Sequence, residues 1–186
     1  ASSAFTVKRL APGIEPGLDE SASFVPDEQN WASTCHACEA EVDPETGVVK
    51  LTRYVAVSDV GVVINPLMMD GQTHGGIAQT IGQALLEEIV YDPKTGQLLT
   101  GSFMDYCMPR ADDMPHMELA STPVPTPHNP LGAKGGGEIA PVACLPAVLN
   151  AVVDALAPTG VDHVEVPATP ERVWQTIQAA QQGEAA

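Results

Sequence analysis

Two stretches of this chain carry apolar residues at helical spacing, and most of what lies around them is punctuated by proline and glycine. In the first, Ile77, Ile81, Leu85 and Ile89 recur every four residues, with Ala78, Ala84 and Leu86 beside them. That period predicts a buried helix. In the second, residues 141–156 supply Val142, Ala143, Leu145, Ala147, Val148, Leu149, Val152, Val153 and Leu156. This predicts a helix buried on most sides, opened by Pro141 and distorted early by Pro146. With 17 prolines and 16 glycines in 186 residues, the remainder cannot complete a helical bundle. The expectation is an α+β fold, with a mixed sheet, hairpins and packed helices.

The strand signals fit that expectation. Residues 40–43 and 48–58 flank a turn bracketed by Pro44 and Gly47, and β-branched residues recur in the second arm. This reads as a β-hairpin. A second hairpin is expected from residues 89–91 and 97–103 around Asp92-Pro93-Lys94-Thr95-Gly96, which repeats the turn chemistry of the first. Short strands are expected at 5–10, 117–122 and 163–166. Asn65-Pro66 disfavours helix at Asn65, so the chain should turn there. Residues 122–130 hold four prolines and must be extended. A last helix opens at Thr169-Pro170-Glu171-Arg172, with Thr as N-cap and Pro at N1. It should carry Val173, Trp174 and Ile177 inward, and its tail after Gln178 should fray. The organisation expected is an extended segment (1–34), one domain (35–180) and a tail (181–186).

The net charge of −16 argues against nucleic acid and anionic membranes, because phosphates would be repelled. No apolar run is expected to span a membrane and no signal-peptide layout opens the chain, so the expected location is cytoplasmic. Cys35-His36-Ala37-Cys38 has the spacing of a zinc or redox pair, against a reading as reduced thiols. No second such pair follows, and His36, His74, His116, His128 and His163 lack ligand spacing.

The residues that most suggest chemistry lie between Asn129 and Pro141. Lys134, Gly135, Gly136, Gly137 and Glu138 place three glycines between a cation and an anion. Glycine lets another group approach the main chain closely. Such a loop could cradle an anion on backbone N–H groups, with Lys134 adding charge and Glu138 placed as a base at a helix entry. The same residues also read as a flexible helix entry. Near the first helix, Gly75, Gly76 and Gly82 each cost roughly 1 kcal/mol relative to Ala. Either close packing or an approaching ligand would account for them. Gln72 and Thr73 are placed at that helix's N-terminal end, where an anion is favoured.

Five strings in order carry a family resemblance: residues 71–85, 101–106, 127–132, Lys134-Gly135-Gly136-Gly137-Glu138 and residues 169–174. Together they resemble the C-terminal part of the large, molybdenum-binding subunit of the xanthine dehydrogenase / aldehyde oxidase / aerobic carbon monoxide dehydrogenase family. The resemblance covers roughly residues 35–177 and implies the C-terminal molybdopterin-binding type of domain. It implies that Glu138 is the family's catalytic base beside the molybdenum, acting on a water-derived oxygen. It implies that Gln72 hydrogen-bonds the pterin, and that Gly76, Asp59, Gly61, Asn65, Lys134, Gly135, Gly136 and Gly137 belong to segments contacting the cofactor. The molybdenum would be held through the pterin and not by side chains. The cofactor implied is molybdenum-molybdopterin, as the cytosine dinucleotide, with iron-sulfur and FAD only on partner subunits. The implied activity is oxidation of an aldehyde, an N-heterocycle or a similar electron-poor carbon. Family subunits are several times longer, so the implied partners include the remaining large-subunit sequence. Gly136 stands where many relatives carry a bulkier residue, which implies a looser loop. The alternative from another class is a non-catalytic structural or interaction domain derived from that family.

Overall fold

The computed structural model describes residues 10, 12, 16, 17, 21–26 and 28–183. The strand expected at 5–10 lies almost wholly outside these residues, as do 184–186 of the expected tail. Strands β1 (Ser33–Val42) and β2 (Val49–Asp59) form the first expected hairpin, antiparallel and longer at its start than the sequence suggested. Side chains alternate between faces along a strand, so His36, Cys38, Ala40 and Val42 share one side of β1. A register shift between Glu39 and Ala40 leaves Thr52 as an extra residue on β2. That bulge moves the buried positions of β2 from Leu51 to Tyr54, Ala56 and Ser58.

Helix α1 (Pro66–Leu85) follows β2. Asn65 is extended and not helical, as expected, and the chain changes direction there to start a helix at Pro66. The Asn65 side chain accepts a hydrogen bond from the Met68 N–H at 3.2 Å, and Pro66 sits in the first turn, where its missing N–H costs nothing. Gln72 and Thr73 therefore stand in the second turn and not at the N-terminus, which corrects the expected anion site at that helix end. The glycines of α1 separate into two kinds. A Cβ on Gly76 would come within 2.7 Å of Pro141, and one on Gly82 within 2.6 Å of Glu87, whereas Gly71 and Gly75 face open space.

Strand β3 (Met117–Ser121) pairs with β2 in parallel, completing a mixed sheet in the order β1-β2-β3. Parallel pairing needs a long crossover, and α1 with residues 86–116 supplies it. Helix α2 (Ile139–Leu156) presents Ala140, Cys144, Val148, Val152 and Leu156 as a buried stripe against β1 and α1. Its opposite face is not covered: Val142 is 76% exposed. The expected burial on most sides is thus corrected, and Pro146 is accommodated within a continuous helix. Residues 139–159 are also long and apolar enough to cross a membrane by length and composition, contrary to the expectation that no run would be. The buried stripe of this helix closes the core, while the rest of its apolar surface is not buried in the described residues.

Helix α3 (Pro170–Gln182) begins as predicted, with the Thr169 hydroxyl accepting from the Arg172 N–H. Val173 and Ile177 are fully buried, but Trp174 is 41% exposed because it lies off their four-residue stripe. The helix does not fray after Gln178. It continues to Gln182 and is capped by Gly183 in the left-handed conformation. Residues 163–166 form no strand, although Val164 is buried in the core. Around the second expected hairpin only Tyr91 and Leu98 form a bridge.

The CxxC pair falls on β1, where residues three apart point to opposite faces. Cys35 is exposed, while Cys38 turns inward and donates to the Ala147 carbonyl at 3.3 Å. They cannot chelate one ion together. Among the described residues no group of three or more His, Cys, Asp or Glu side chains could hold a metal.

Candidate functional site

The end of β2, the start of α1 and the loop before α2 converge on one open cavity of about 330 Å³. Its lining includes Val60, Asn65, Met69, Gln72, Lys134, Gly136 and Gly137. Residues from two of the expected cofactor segments and Gln72 are therefore brought together, although Gln72 and Gly137 lie far apart in sequence. A Cβ on Gly137 would stand 3.8 Å from Gln72 Nε2, and Gly135 has nothing within 4 Å of that position.

The loop is held in place by its neighbours. Gly61 and Ala133 form an antiparallel bridge, the Val62 N–H donates to the Gly132 carbonyl at 3.0 Å, and the Lys134 N–H donates to the Val60 carbonyl at 2.8 Å. Asn129 braces the approach: its Oδ1 accepts from the Leu131 and Ala133 N–H groups, and its Nδ2 donates to the Ala133 carbonyl at 2.8 Å. A Cβ on Gly136 would lie 2.7 Å from Met69 Sδ and 3.0 Å from Val60 Cγ1. The glycine thus permits tight seating against α1, and the looser loop expected from it is not what the packing shows. Asn129 and Met69 were not picked out individually from the sequence. Met69 carried a usable signal, since it is an apolar residue on the same helix face as Gln72, three positions before it.

Lys134 and Asp59 form an ion pair at 2.6 Å, with side chains 12% and 15% exposed. The other Asp59 oxygen accepts from the Gly61 and Val124 N–H groups, both at 2.9 Å. The Lys134 hydrogen bond, followed by the two backbone donors, holds the Asp59 carboxyl down at about 2. Gly76 faces α2, and Asn65 combines its capping role with a place in the cavity wall. Glu138 occupies the N-cap position of α2 with its side chain exposed and capping no N–H. It directly follows the cavity residue Gly137.

These features fit an anionic group bound through the main chain. Among the described residues, the N–H groups of Gly135, Gly136 and Gly137 donate to no backbone carbonyl outside regular structure. At Gly135 nothing lies within 4 Å of a Cβ position, and at Gly137 only Gln72 Nε2 does, which leaves room for another group to approach the main chain there.

A sequence model described as the molybdopterin cofactor-binding domain matches residues 2–115. The chain belongs to the molybdopterin cofactor-binding domain family. It is 38% identical over 165 residues to the carbon monoxide dehydrogenase large chain of Hydrogenophaga pseudoflava, covering 89% of this chain and 20% of that one. It is 42% identical over 161 residues to the nicotine 6-hydroxylase large subunit of Paenarthrobacter nicotinovorans, covering 87% and 20%. It also matches a crystal structure of Cu,Mo-CO dehydrogenase in the carbon monoxide reduced state. That match has a TM-score of 0.85 and 35% identity, over 99% of this chain and 22% of that one. The α+β expectation and the resemblance to the molybdenum-binding large subunits are both borne out. The chain spans about a fifth of the length of the curated relatives it matches.

Proposed function

We propose that the chain is the base-bearing wall of a molybdenum hydroxylase active site, with Glu138 as the catalytic base. The observation that carries this reading is the junction itself. Gly136 and Gly137 line a cavity that Gln72 also lines, and the next side chain is an exposed carboxylate that caps no N–H.

In this reading the N–H groups of Gly135–Gly137 and the Gln72 amide hold the molybdenum-pterin cofactor, taken as its cytosine dinucleotide. When bound, the molybdenum-pterin supplies two-electron oxidation. Glu138 takes the proton from a water-derived oxygen as that oxygen attacks the substrate carbon, a step in which a positioned base contributes about 10²–10⁴-fold. The substrate is an aldehyde, an N-heterocycle or a similar electron-poor carbon. The remaining walls come from large-subunit sequence beyond this chain. Partner subunits carry iron-sulfur clusters, and in some assemblies a flavin, to remove electrons.

The test is Glu138→Gln in the assembled enzyme. The expected result is full molybdenum and pterin content with turnover reduced to background. Normal turnover in that variant would remove Glu138 from the chemistry. Native mass spectrometry of the wild type adds a check on the non-catalytic alternative, which requires a stable lone chain with neither a larger partner nor pterin.

A further inference from the structure

The Lys134 ammonium looks available for an anion in the sequence, yet the structure gives it another partner. It lies 2.6 Å from Asp59 Oδ2, and both side chains are largely removed from water. Asp59 also ties in two further segments through Gly61 and Val124. Lys134 is fixed at its other end as well, since its N–H donates to the Val60 carbonyl. One carboxylate therefore joins the end of β2, the extended segment around Val124 and the residue from which the glycine loop departs. Swinging the ammonium onto an anion would leave Asp59 desolvated without its counter-charge, which is strongly unfavourable. With its charge balanced locally, the pair offers little net attraction to an anion.

We propose that Asp59 and Lys134 are positioning residues: a clamp that sets where Gly135–Gly137 and Glu138 sit, leaving the anion to the backbone N–H groups. This rests on reading the cavity as the pterin site. From Lys134 only four residues lead to α2, whose start is pinned by Ala140 and Pro141 against Gly76. The loop is thus fixed before it by the ion pair, after it by helix packing, and midway by Met69 beneath Gly136. Losing the ion pair leaves that end held by the Lys134 N–H bond to the Val60 carbonyl alone at this residue, and lets Gly135–Gly137 shift relative to Gln72.

The clamp differs from a direct lysine-anion contact in the sign of one effect. Asp59→Asn keeps an oxygen for the Gly61 and Val124 N–H groups but releases the ammonium. If Lys134 bound the anion directly, releasing it would preserve or raise pterin retention. As a clamp, its release should lower retention.

The experiment measures pterin and molybdenum per assembled enzyme for wild type, Lys134→Met, Asp59→Asn, the double variant, Lys134→Arg and Gly137→Val, with melting temperature recorded for each. Each single clamp loss should lower pterin retention about tenfold, the double should lose no more than either single, and Lys134→Arg should recover most of it. Gly137→Val should lose pterin at an unchanged melting temperature, because its side chain enters the gap before Gln72. Retained or raised pterin in Asp59→Asn, or additive losses in the double variant, overturns the clamp. Full pterin in Gly137→Val overturns the cavity reading, which separates the two failures. If Lys134→Met does not assemble, the near-isosteric Asp59→Asn still decides the sign.

Discussion

The chain builds the same turn twice and uses it in two ways. Asp43-Pro44-Glu45-Thr46-Gly47 and Asp92-Pro93-Lys94-Thr95-Gly96 share their bonding almost atom for atom. The glycine N–H donates to the aspartate carbonyl at 2.8 and 2.9 Å. The aspartate carboxylate accepts the N–H two residues on at 2.9 and 2.7 Å, and the threonine hydroxyl accepts at 3.3 Å in both. The glycine φ angles are +72° and +70°. Yet the first turn joins strands of 10 and 11 residues, and the second is flanked by a single bridge. The difference lies in the surroundings. Leu51 and Tyr54 near the first turn belong to the core, Val42 and Val49 pack against it partly buried, and Gly47 abuts the Pro170 carbonyl. Tyr91, Leu98 and Leu99 beside the second turn are exposed. Side chain–backbone bonds suffice for a turn, whereas a ladder needs a buried face.

The largest way to break this comparison is to add one methyl group to each glycine. In Gly47→Ala the new Cβ would overlap the Pro170 carbonyl and approach the Trp174 nitrogen to 2.7 Å, in a left-handed backbone. Destabilisation of about 4 kcal/mol is expected, from strain and forced repacking of α3. Gly96→Ala has the same backbone angle and open space, so it should cost only about 1–2 kcal/mol. Unfolding in denaturant measures both. Equal losses would show that the docking of the first turn onto α3 contributes nothing.

A smaller effect separates the flanks. Leu51→Ala removes a side chain 7% exposed in the core, and about 2–5 kcal/mol should be lost. Leu98→Ala removes one 39% exposed beside the second turn and should stay within about 1 kcal/mol. Comparable losses would mean that the second arm is packed far better than its exposure indicates.

The same distinction explains what could be read from the sequence. Features with local causes were legible: both turns, the capped start of α3, the apolar period of α1 as far as Leu85, and the glycine loop with its carboxylate; Ile89, expected to extend that period, lies beyond the helix end and is exposed. Features set by distant partners were not. Asn65-Pro66 is compatible with both a turn and a helix start, and only the capping bond to Met68 distinguishes them. The exposed sides of Trp174 and α2 depend on what packs nearby, which periodicity does not report. At the site, Asp59 and Lys134 each stood out, but their pairing across 75 positions leaves no local signal. Nor could spacing place Gln72 opposite Gly137. The cavity is a tertiary object, assembled from residues that were individually visible.

The smallest expected effect tests whether the shared turn chemistry is truly shared. The Asp43 carboxyl is held below its ordinary range first by the Thr46 hydroxyl and then by the Glu45 N–H. That of Asp92 is held low by the N–H groups of Thr95 and Lys94. In both, the folded pKa lies below the unfolded one. The ionised carboxylate therefore contributes its stabilisation above about pH 4, and loses it as pH falls through the lower folded value. Amide exchange at Gly47 and Gly96, corrected for intrinsic pH dependence, reads each turn separately. As pH falls below about 4, Gly96 should lose protection in step with Asp92 protonation, because its exposed flanks add one bridge and a few hydrogen bonds and no buried face. Gly47 should keep more protection through the same window, because its ladder and the α3 contact hold the turn after Asp43 protonates. Asp92→Asn should make Gly96 exchange independent of this pH window. If wild-type Gly96 protection is already flat with pH, the carboxylate does not hold that turn, and the likeness of the two turns is geometric only.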